Sequence, residues 1–250
     1  MTVPIRRLVI LGIVGAGGAA LLTRPWLHGG STRAERRASL PGDQWIDQPR
    51  LVATRAVTID APPDAVWPWL QQMGHGRAGW YGYDLWDNAG DASADALVPE
   101  LQHLAVGDVI ADAVGPFGFR VLEVEPERAV VLRATIHPIT GKVVDRDRHP
   151  HRVFIDFTWA FVLTPLAGGR SRLVVRVRYD RSPRWWVACA VEAYELVDAL
   201  FSRKMLAGIR QRAEGGDAAD VGIADRTSRD LTGGGRRYAR PVTDHRGDDG

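Results

Sequence analysis

The residues with the most chemistry to offer lie between positions 71 and 87, in the run QQMGHGRAGWYGYDLWD. Four glycines separate side chains that stack, ionise or donate hydrogen bonds. Five of these side chains are candidate ligand contacts: Arg77, Trp80, Tyr81, Tyr83 and Asp84. Aromatic rings grip flat or apolar molecules, and a guanidinium or a tyrosine hydroxyl can hold a carbonyl or enolate oxygen. The alternative is structural, with Trp80 and Tyr81 filling the interior and Arg77 paired with Asp84.

The histidines and the single cysteine do not indicate a metal site. His149 and His151 offer two ligands at most, and the arginines around them in RDRHPHR repel a cation. Cys189 is the only cysteine, which excludes a cysteine-based metal site. The run GAGGAA at 15–20 fits a dinucleotide fingerprint, but a polar segment follows where a second buried strand would be needed. We therefore expect no metal and no other cofactor.

Overall composition excludes several classes of function. The chain has 250 residues and a formal net charge of +2, so it carries no general signal for binding nucleic acid. It contains no nucleophile elbow, phosphate loop or carboxylate pair in sequence. These absences argue against hydrolysis through a covalent intermediate, ATP chemistry and glycosidase action.

The elements that must position the candidate residues follow from hydrophobic periodicity. A strand at 51–59 is followed by a short helix signal, and then by four or five strand-like runs with no helix between them. Two runs alternate clearly: one has Val153, Ile155, Phe157, Trp159, Phe161 and Leu163 on one face, and the other has Leu173, Val175, Val177 and Tyr179. Period-two burial predicts a sheet with one face turned toward a core or a cavity.

A long helix closes the folded part, over roughly residues 184–213. Ser182 and Pro183 are typical of a helix start, and one apolar stripe repeats at three- and four-residue steps: Val187, Val191, Tyr194, Val197, Phe201 and Met205. Trp159 on its strand and Tyr194 on this helix are expected to face the same interior space. They complete the list of candidate ligand contacts, with ordinary core packing as the alternative.

These elements predict an α+β helix-grip fold, in which a curved antiparallel sheet wraps around the long C-terminal helix and short helices follow the first strand. The motifs TRAVTIDAPPDAVWPWLQQMG, RAGWYGYD, TWAFVLTPL and YELVDALFSRKMLAGIRQRAE resemble the SRPBCC superfamily of polyketide cyclases and START-type lipid-transfer domains, in its uncharacterised actinobacterial branch. The resemblance covers residues 51–214. It implies a ligand cavity between the sheet and the helix.

Three functions remain open from the sequence. The first is binding of a small hydrophobic or aromatic ligand, lipid or polyketide-like, in that cavity. The second is an enzyme of cyclase or dehydratase type, with Arg77 and Tyr81 or Tyr83 as acid and oxyanion stabiliser. The third is a ligand-free domain that acts through protein contacts. The sequence does not decide whether any reaction is catalysed.

The two ends of the chain differ from this body. Residues 1–27 are predicted to be a hydrophobic anchor or signal segment, because Leu8–Leu22 is uncharged and spans about 22 Å as a helix. An uncleaved membrane anchor with a cytoplasmic body is favoured, since more arginines follow the segment than precede it. A cleaved secretion signal is the alternative. Residues 28–50 are predicted to be a linker, and 215–250 a disordered tail.

Overall fold

A computed structural model describes residues 24–113 and 116–215 of the chain. Within them, six strands form one antiparallel sheet in the order β1-β6-β5-β4-β3-β2. The strands are β1 (Leu51–Ile59), β2 (Val109–Ala111), β3 (Gly118–Glu125), β4 (Ala129–Ile136), β5 (Ile155–Leu166) and β6 (Arg170–Arg181). The sheet is a hairpin series from β2 to β6, and β1 pairs with the last of these strands.

Four α-helices accompany the sheet within the described residues. They are α1 (Arg33–Arg37), α2 (Pro63–Gln72), α3 (Asp84–Asp87) and the 31-residue α4 (Trp185–Gly215). Single 3-10 turns lie at Pro25–His28, Asp43–Ile46 and Pro99–Leu101. The short helices α2 and α3 follow β1, and α4 packs against β1 and α2. This arrangement confirms the predicted helix-grip fold.

The inner face of the sheet, which is turned toward α4, carries most of the core. The alternating residues predicted for the β5 and β6 runs lie in this core, with Val153 and Trp159 only partly buried. The outer face has a smaller apolar cluster around Val131, Ala160 and Val162. Alternation along each strand therefore divides the sheet into two chemically different faces, as period two requires.

Residues 24–50, which we call the N-terminal strap, begin beside α4 and the main core, pass the edge of β1, and then run across the outer face. Their expected role was the end of an anchor segment followed by a linker, but here they pack closely on the sheet. Arg172 donates through Nε and Nη2 to the two carboxylate oxygens of Glu35, at 2.7 and 3.0 Å. Arg176 reaches Asp43 at 2.7 Å. Glu35 also closes a capping box with Thr32 at the start of α1, so its side chain serves both contacts.

The strap also follows the free edge of β1. The backbone N–H of Ala56 donates to the carbonyl of Gly29 at 2.9 Å, and the hydroxyl of Ser31 donates to the carbonyl of Thr54 at 2.7 Å. Gly30 lies between these contacts with φ +72°, and a Cβ there would approach the carbonyl oxygen of Ala56 to 2.2 Å. Only glycine fits this approach.

The expectation of a membrane-spanning helix, and with it of the membrane as a partner, is corrected. Among residues 24–113 and 116–215, no helix has the length and apolar character needed to cross a bilayer. Trp26, which lies within the predicted anchor segment 1–27, packs against the core of the domain, and Leu27 beside it is buried. The segment Leu8–Leu22 and residues 216–250 lie outside the described residues.

The stripe that α4 buries differs from the predicted one. Val187, Val191 and Met205 are buried as expected, whereas Tyr194 and Val197 are about half exposed. Glu195 and Ser202 take the intervening buried positions. The helix is therefore turned so that polar side chains, rather than an unbroken apolar row, face the sheet in its central part.

Candidate functional site

A cavity of about 750 Å³ lies between the inner face of the sheet and α4. This volume falls within the range of about 300–1,000 Å³ that is usual for small-molecule sites. Nine aromatic side chains line it: Trp80, Trp86, Phe117, Phe119, Phe157, Trp159, Tyr179, Tyr194 and Phe201. Trp86 and Ile139 are largely exposed and mark its mouth. The cavity is thus an aromatic space with an entrance beside α3.

The glycine-rich loop contributes one wall of the cavity through Trp80. Its indole stacks on that of Trp159, with ring centroids 5.2 Å apart, and meets the edge of Phe119 at 5.7 Å. Trp159 is in turn 5.0 Å from Phe161 on the same strand. Because these rings support one another, the wall is rigid and offers flat apolar surface to a ligand.

The next residue, Tyr81, turns away from the cavity. Its backbone is left-handed, with φ 60°, and its hydroxyl donates to the carbonyl of Trp69 at 3.1 Å. Burial raises the pKa of this hydroxyl, so it stays protonated as a donor. Gly208 of α4 packs directly on the backbone of Tyr81, since a Cβ at position 208 would approach the Tyr81 carbonyl oxygen to 2.1 Å. Tyr81 therefore fastens the loop to α4.

Three other predicted residues of the loop, Arg77, Tyr83 and Asp84, are also absent from the cavity lining. The guanidinium of Arg77 donates to the carbonyls of Gln71 and Leu101, at 2.8 and 3.1 Å. Asp84 accepts from the hydroxyl of Ser93 at 2.5 Å, so the Arg77–Asp84 pair considered as an alternative does not form. Tyr83 sets its ring edge against Phe201, 5.4 Å between centroids, just behind the lining. Of the seven predicted ligand contacts, Trp80, Trp159 and Tyr194 are the ones that line the cavity.

A buried polar cluster forms part of the cavity floor. Arg55 of β1 donates through Nη2 to Glu195 and through Nη1 to Asp198, both at 2.7 Å. The hydroxyl of Ser202 donates to the same Asp198 oxygen, Oδ2, at 3.1 Å. The side chains of Arg55 and Glu195 are 3% and 0% exposed, and that of Asp198 is 11% exposed and lines the cavity. One guanidinium thus serves two carboxyl groups.

Electrostatics in this cluster favour retention of a proton. Burial and the neighbouring Asp198 raise the pKa of Glu195, and burial raises the pKa of Asp198, in both cases against the opposing effect of Arg55. Burial, together with these two carboxylates, also raises the pKa of Tyr179 well above its ordinary value. Oε1 of Glu195 is buried and accepts no hydrogen bond from a described residue. A carboxyl pair in this state can hold a proton beside the cavity.

Sequence reasoning did not identify Arg55, Glu195, Asp198 or Ser202. Arg55 occupies an inward position of the strand LVATRAVTI, which is a signal, since an arginine there needs a buried partner. The three helix residues recur at steps of three and four, so they share one face of α4. The partners lie 140 and 143 residues from Arg55 in sequence, which is why no local pattern connects them.

Comparisons with known proteins do not identify a family for this chain. No family model matches the chain, and no curated protein matches it. Among solved structures, the Zhui aromatase/cyclase from Streptomyces is 16% identical, with 69% of this chain and 99% of that chain covered and a TM-score of 0.34. A Polyketide_cyc-like protein from Corynebacterium glutamicum is 15% identical, with 70% and 97% covered and a TM-score of 0.35. A hypothetical protein from Helicobacter pylori is 12% identical, with 70% and 96% covered and a TM-score of 0.42.

These similarities are too distant to carry an argument about activity. The helix-grip architecture stands on the sheet order and on the position of α4 described above. The similar structures do include polyketide cyclase-like proteins, the class that the sequence resembles. The assignment to an actinobacterial branch stays a prediction.

Proposed function

We propose that the protein binds a small hydrophobic or aromatic molecule, lipid-like or polyketide-like, in the cavity between the sheet and α4. The observation that carries this proposal is a 750 Å³ space lined by nine aromatic side chains. Burying an apolar molecule there gains about 25 cal/mol for each Å² removed from water. Trp80 and Trp159 supply the flat wall, and Tyr194 contacts the ligand from α4.

A neutral naphthalene-based fluorescent probe tests this proposal. Its emission should rise and shift to the blue with the purified protein, and the signal should saturate at one probe per chain. Ala193→Trp places an indole on the cavity-lining surface of α4 and should abolish the signal. Ala207→Trp is the matched control, because Ala207 is exposed on the same helix and does not line the cavity. An unchanged signal with Ala193→Trp would contradict the proposal.

A second candidate is an enzyme of the cyclase or dehydratase type, and the carboxyl pair of Glu195 and Asp198 favours it. Burial raises the pKa of both groups above the ordinary carboxyl values, which is the direction that general acid catalysis near neutral pH requires. In a dehydration, an acid protonates the leaving hydroxyl, which departs as water, while a base removes a proton from the adjacent carbon. Arg77 and Tyr81, the acid and oxyanion stabiliser considered first, point their polar atoms at backbone carbonyls instead.

Native mass spectrometry separates the two candidates. Protein extracted gently from its source should carry its ligand, and Asp198→Asn should carry the same molecule if binding is the whole function. If Asp198→Asn retains a molecule heavier by the mass of one water, the parent protein catalyses dehydration. An identical mass in both proteins counts against the enzyme.

A further inference from the structure

The cavity is lined by acidic but not by basic side chains. Among the described residues that line it are three carboxylates, Asp87, Asp112 and Asp198, and no lysine, arginine or histidine. The chain as a whole has 32 basic and 30 acidic side chains, so its composition does not explain this bias. A wall with one sign of charge and low-dielectric surroundings attracts ligands of the opposite sign.

The nearby Arg55 does not cancel this bias. Its guanidinium is 3% exposed, and its donors are directed to Glu195, Asp198, Ser202 and the carbonyl of Trp26. It is therefore not available to an anionic ligand. It also brings one positive charge to two carboxyl groups, so the fully ionised cluster lacks one positive charge.

One additional positive charge would balance the cluster. A proton is one candidate, because burial raises the pKa of both Glu195 and Asp198. A ligand cation that reached Asp198 would supply the same charge. Oδ2 of Asp198 already accepts from Arg55 and Ser202, whereas Oδ1 has no hydrogen bond from a described residue.

The aromatic lining favours the same class of ligand. Indole and phenyl faces attract cations through their quadrupoles, and tryptophan does so most strongly. Trp80 and Trp159 are stacked in the wall, and Phe201 and Tyr194 lie on α4 on either side of Asp198 in sequence. Because these two helix residues lie one turn before and one turn after Asp198, their rings share its face of α4, which suits an ammonium group with an apolar body.

From this geometry we infer that the ligand is a cation: an apolar or aromatic amine whose ammonium group donates to Oδ1 of Asp198 while its hydrocarbon body lies among the aromatic rings. The inference rests on the proposed binding function and narrows it. It excludes fatty acids and other carboxylates as preferred ligands, since their charge would meet Asp198 and no described lining residue offers them a cation.

Three ligands with one hydrocarbon skeleton test the inference: naphthylethylamine, naphthylethanol and naphthylacetate. Each is titrated against the neutral probe bound to the full chain at about pH 7, where the amine is charged and the acid ionised. The amine should displace the probe at a concentration about tenfold lower than the alcohol, because a hydrogen bond between charged groups is about twice as strong as a neutral one. The carboxylate should be the weakest competitor.

Asp198→Asn should bring the amine and the alcohol to within about threefold of one another, since it removes the charge but keeps an acceptor. Asp95→Asn is the matched control: it removes an exposed carboxylate that does not line the cavity and should leave the tenfold preference intact. If Asp198→Asn does not fold, the ranking of the three ligands on the unmodified protein decides.

The outcomes separate this inference from the proposed function. If the alcohol or the carboxylate competes as well as the amine, the cation preference is overturned while ligand binding stands. If Asp198→Asn folds and keeps the full preference, Asp198 is not the recognition group and the inference fails. If neither the neutral probe nor any of the three ligands binds, the proposed function fails and takes the inference with it.

Discussion

Each face of the sheet buries an arginine, and the two are satisfied in different ways. On the outer face, Arg176 is 2% exposed and donates to the carbonyls of Ala38 and Glu35, the hydroxyl of Thr54 and the carboxylate of Asp43. On the inner face, Arg55 is equally buried but meets two carboxylates that lie one helical turn apart on α4. The acceptors around Arg176 are mostly neutral. The partners of Arg55 include two carboxyl groups, whose combined negative charge is larger than the single positive charge of the arginine.

This difference separates a structural contact from a candidate functional one. The contacts of Arg176 hold the N-terminal strap on the sheet, and its one carboxylate partner, Asp43, also lies 3.2 Å from the guanidinium of Arg178, so that a single carboxylate meets two cations. At Arg55 the ratio is reversed: Asp198 lines the cavity, and the buried Oε1 of Glu195 accepts no hydrogen bond from a described residue. A fold that only needed stability would gain little from this excess, because buried charges cost free energy unless they are fully paired.

The largest expected effect comes from replacing each arginine by methionine. Arg55→Met should lower the free energy of unfolding by about 3–5 kcal/mol at neutral pH, because it leaves two buried carboxyl groups without a cation. Arg176→Met should cost about 2–3 kcal/mol through unpaired carbonyls. Urea unfolding followed by circular dichroism measures both.

The two variants should also differ in their dependence on pH. Glu195 and Asp198 already have raised pKa values, and loss of Arg55 raises them further, so the folded state binds more protons than the unfolded state. The deficit of Arg55→Met should therefore stay constant until the pH passes the raised pKa values of the parent, which lie above the ordinary carboxyl values of 4.5 and 3.8, and should grow from there as the pH rises further. Arg176→Met leaves mostly carbonyls, which do not titrate, and its one carboxylate partner, Asp43, keeps the guanidinium of Arg178 at 3.2 Å, so its deficit should change less with pH. Equal pH profiles for the two variants would remove the distinction between the faces.

An intermediate effect on stability is expected in the glycine-rich loop. Its polar side chains, like that of Arg176, donate hydrogen bonds to backbone carbonyls. Arg77→Met should cost about 2 kcal/mol and Tyr81→Phe about 1 kcal/mol in unfolding free energy, because each loses hydrogen bonds to buried carbonyls. Neither should change the affinity for the neutral probe by more than about twofold, a limit set by the lack of a direct contact. Trp80→Leu is the contrasting variant. It removes an indole that forms part of the cavity wall, so it should lower the affinity for the neutral probe. If Arg77→Met alone lowered the affinity for the neutral probe, Arg77 would have to be counted as a ligand contact.

The smallest expected effect concerns the strap. Glu35→Gln keeps an oxygen for the capping box but loses the charge paired with Arg172, which should cost about 1 kcal/mol at neutral pH. Hydrogen bonds from Arg172 lower the pKa of Glu35 to about 2. Its contribution is thus present above the ordinary value of 4.5 and is lost as the pH falls toward 2. The variant and the parent should converge in stability over that interval, and a constant gap would contradict the ion-pair account.

The fold was predictable because its signals are local and repeated. Alternation in TWAFVLTPL and RLVVRVRY identified the inner face, and the long helix was placed within two residues of its observed bounds, Trp185–Gly215. Its start differs by one residue for a specific reason. Ser182, expected as the helix cap, exchanges hydrogen bonds with the backbone of Phe154 instead.

The site was less predictable because it depends on the direction of single side chains. Trp80 and Tyr81 are neighbours with the same apparent chemistry, yet a left-handed backbone at Tyr81 sends one ring to the cavity and the other to Trp69. No periodic pattern contains that information. The acidic excess at the floor depends on contacts between β1 and α4, which no local pattern in the sequence relates to one another.

The passage of Gly29 and Ser31 along β1 has a consequence for the protein in concentrated solution. The unpaired rim of an antiparallel sheet is a template onto which strands of other molecules can add, and this is a common route to aggregation. Here the chain occupies that template itself, by accepting the N–H of Ala56 and donating to the carbonyl of Thr54. A side chain at position 30 would displace the strap from the edge of β1 and expose that edge to pairing with strands of other molecules.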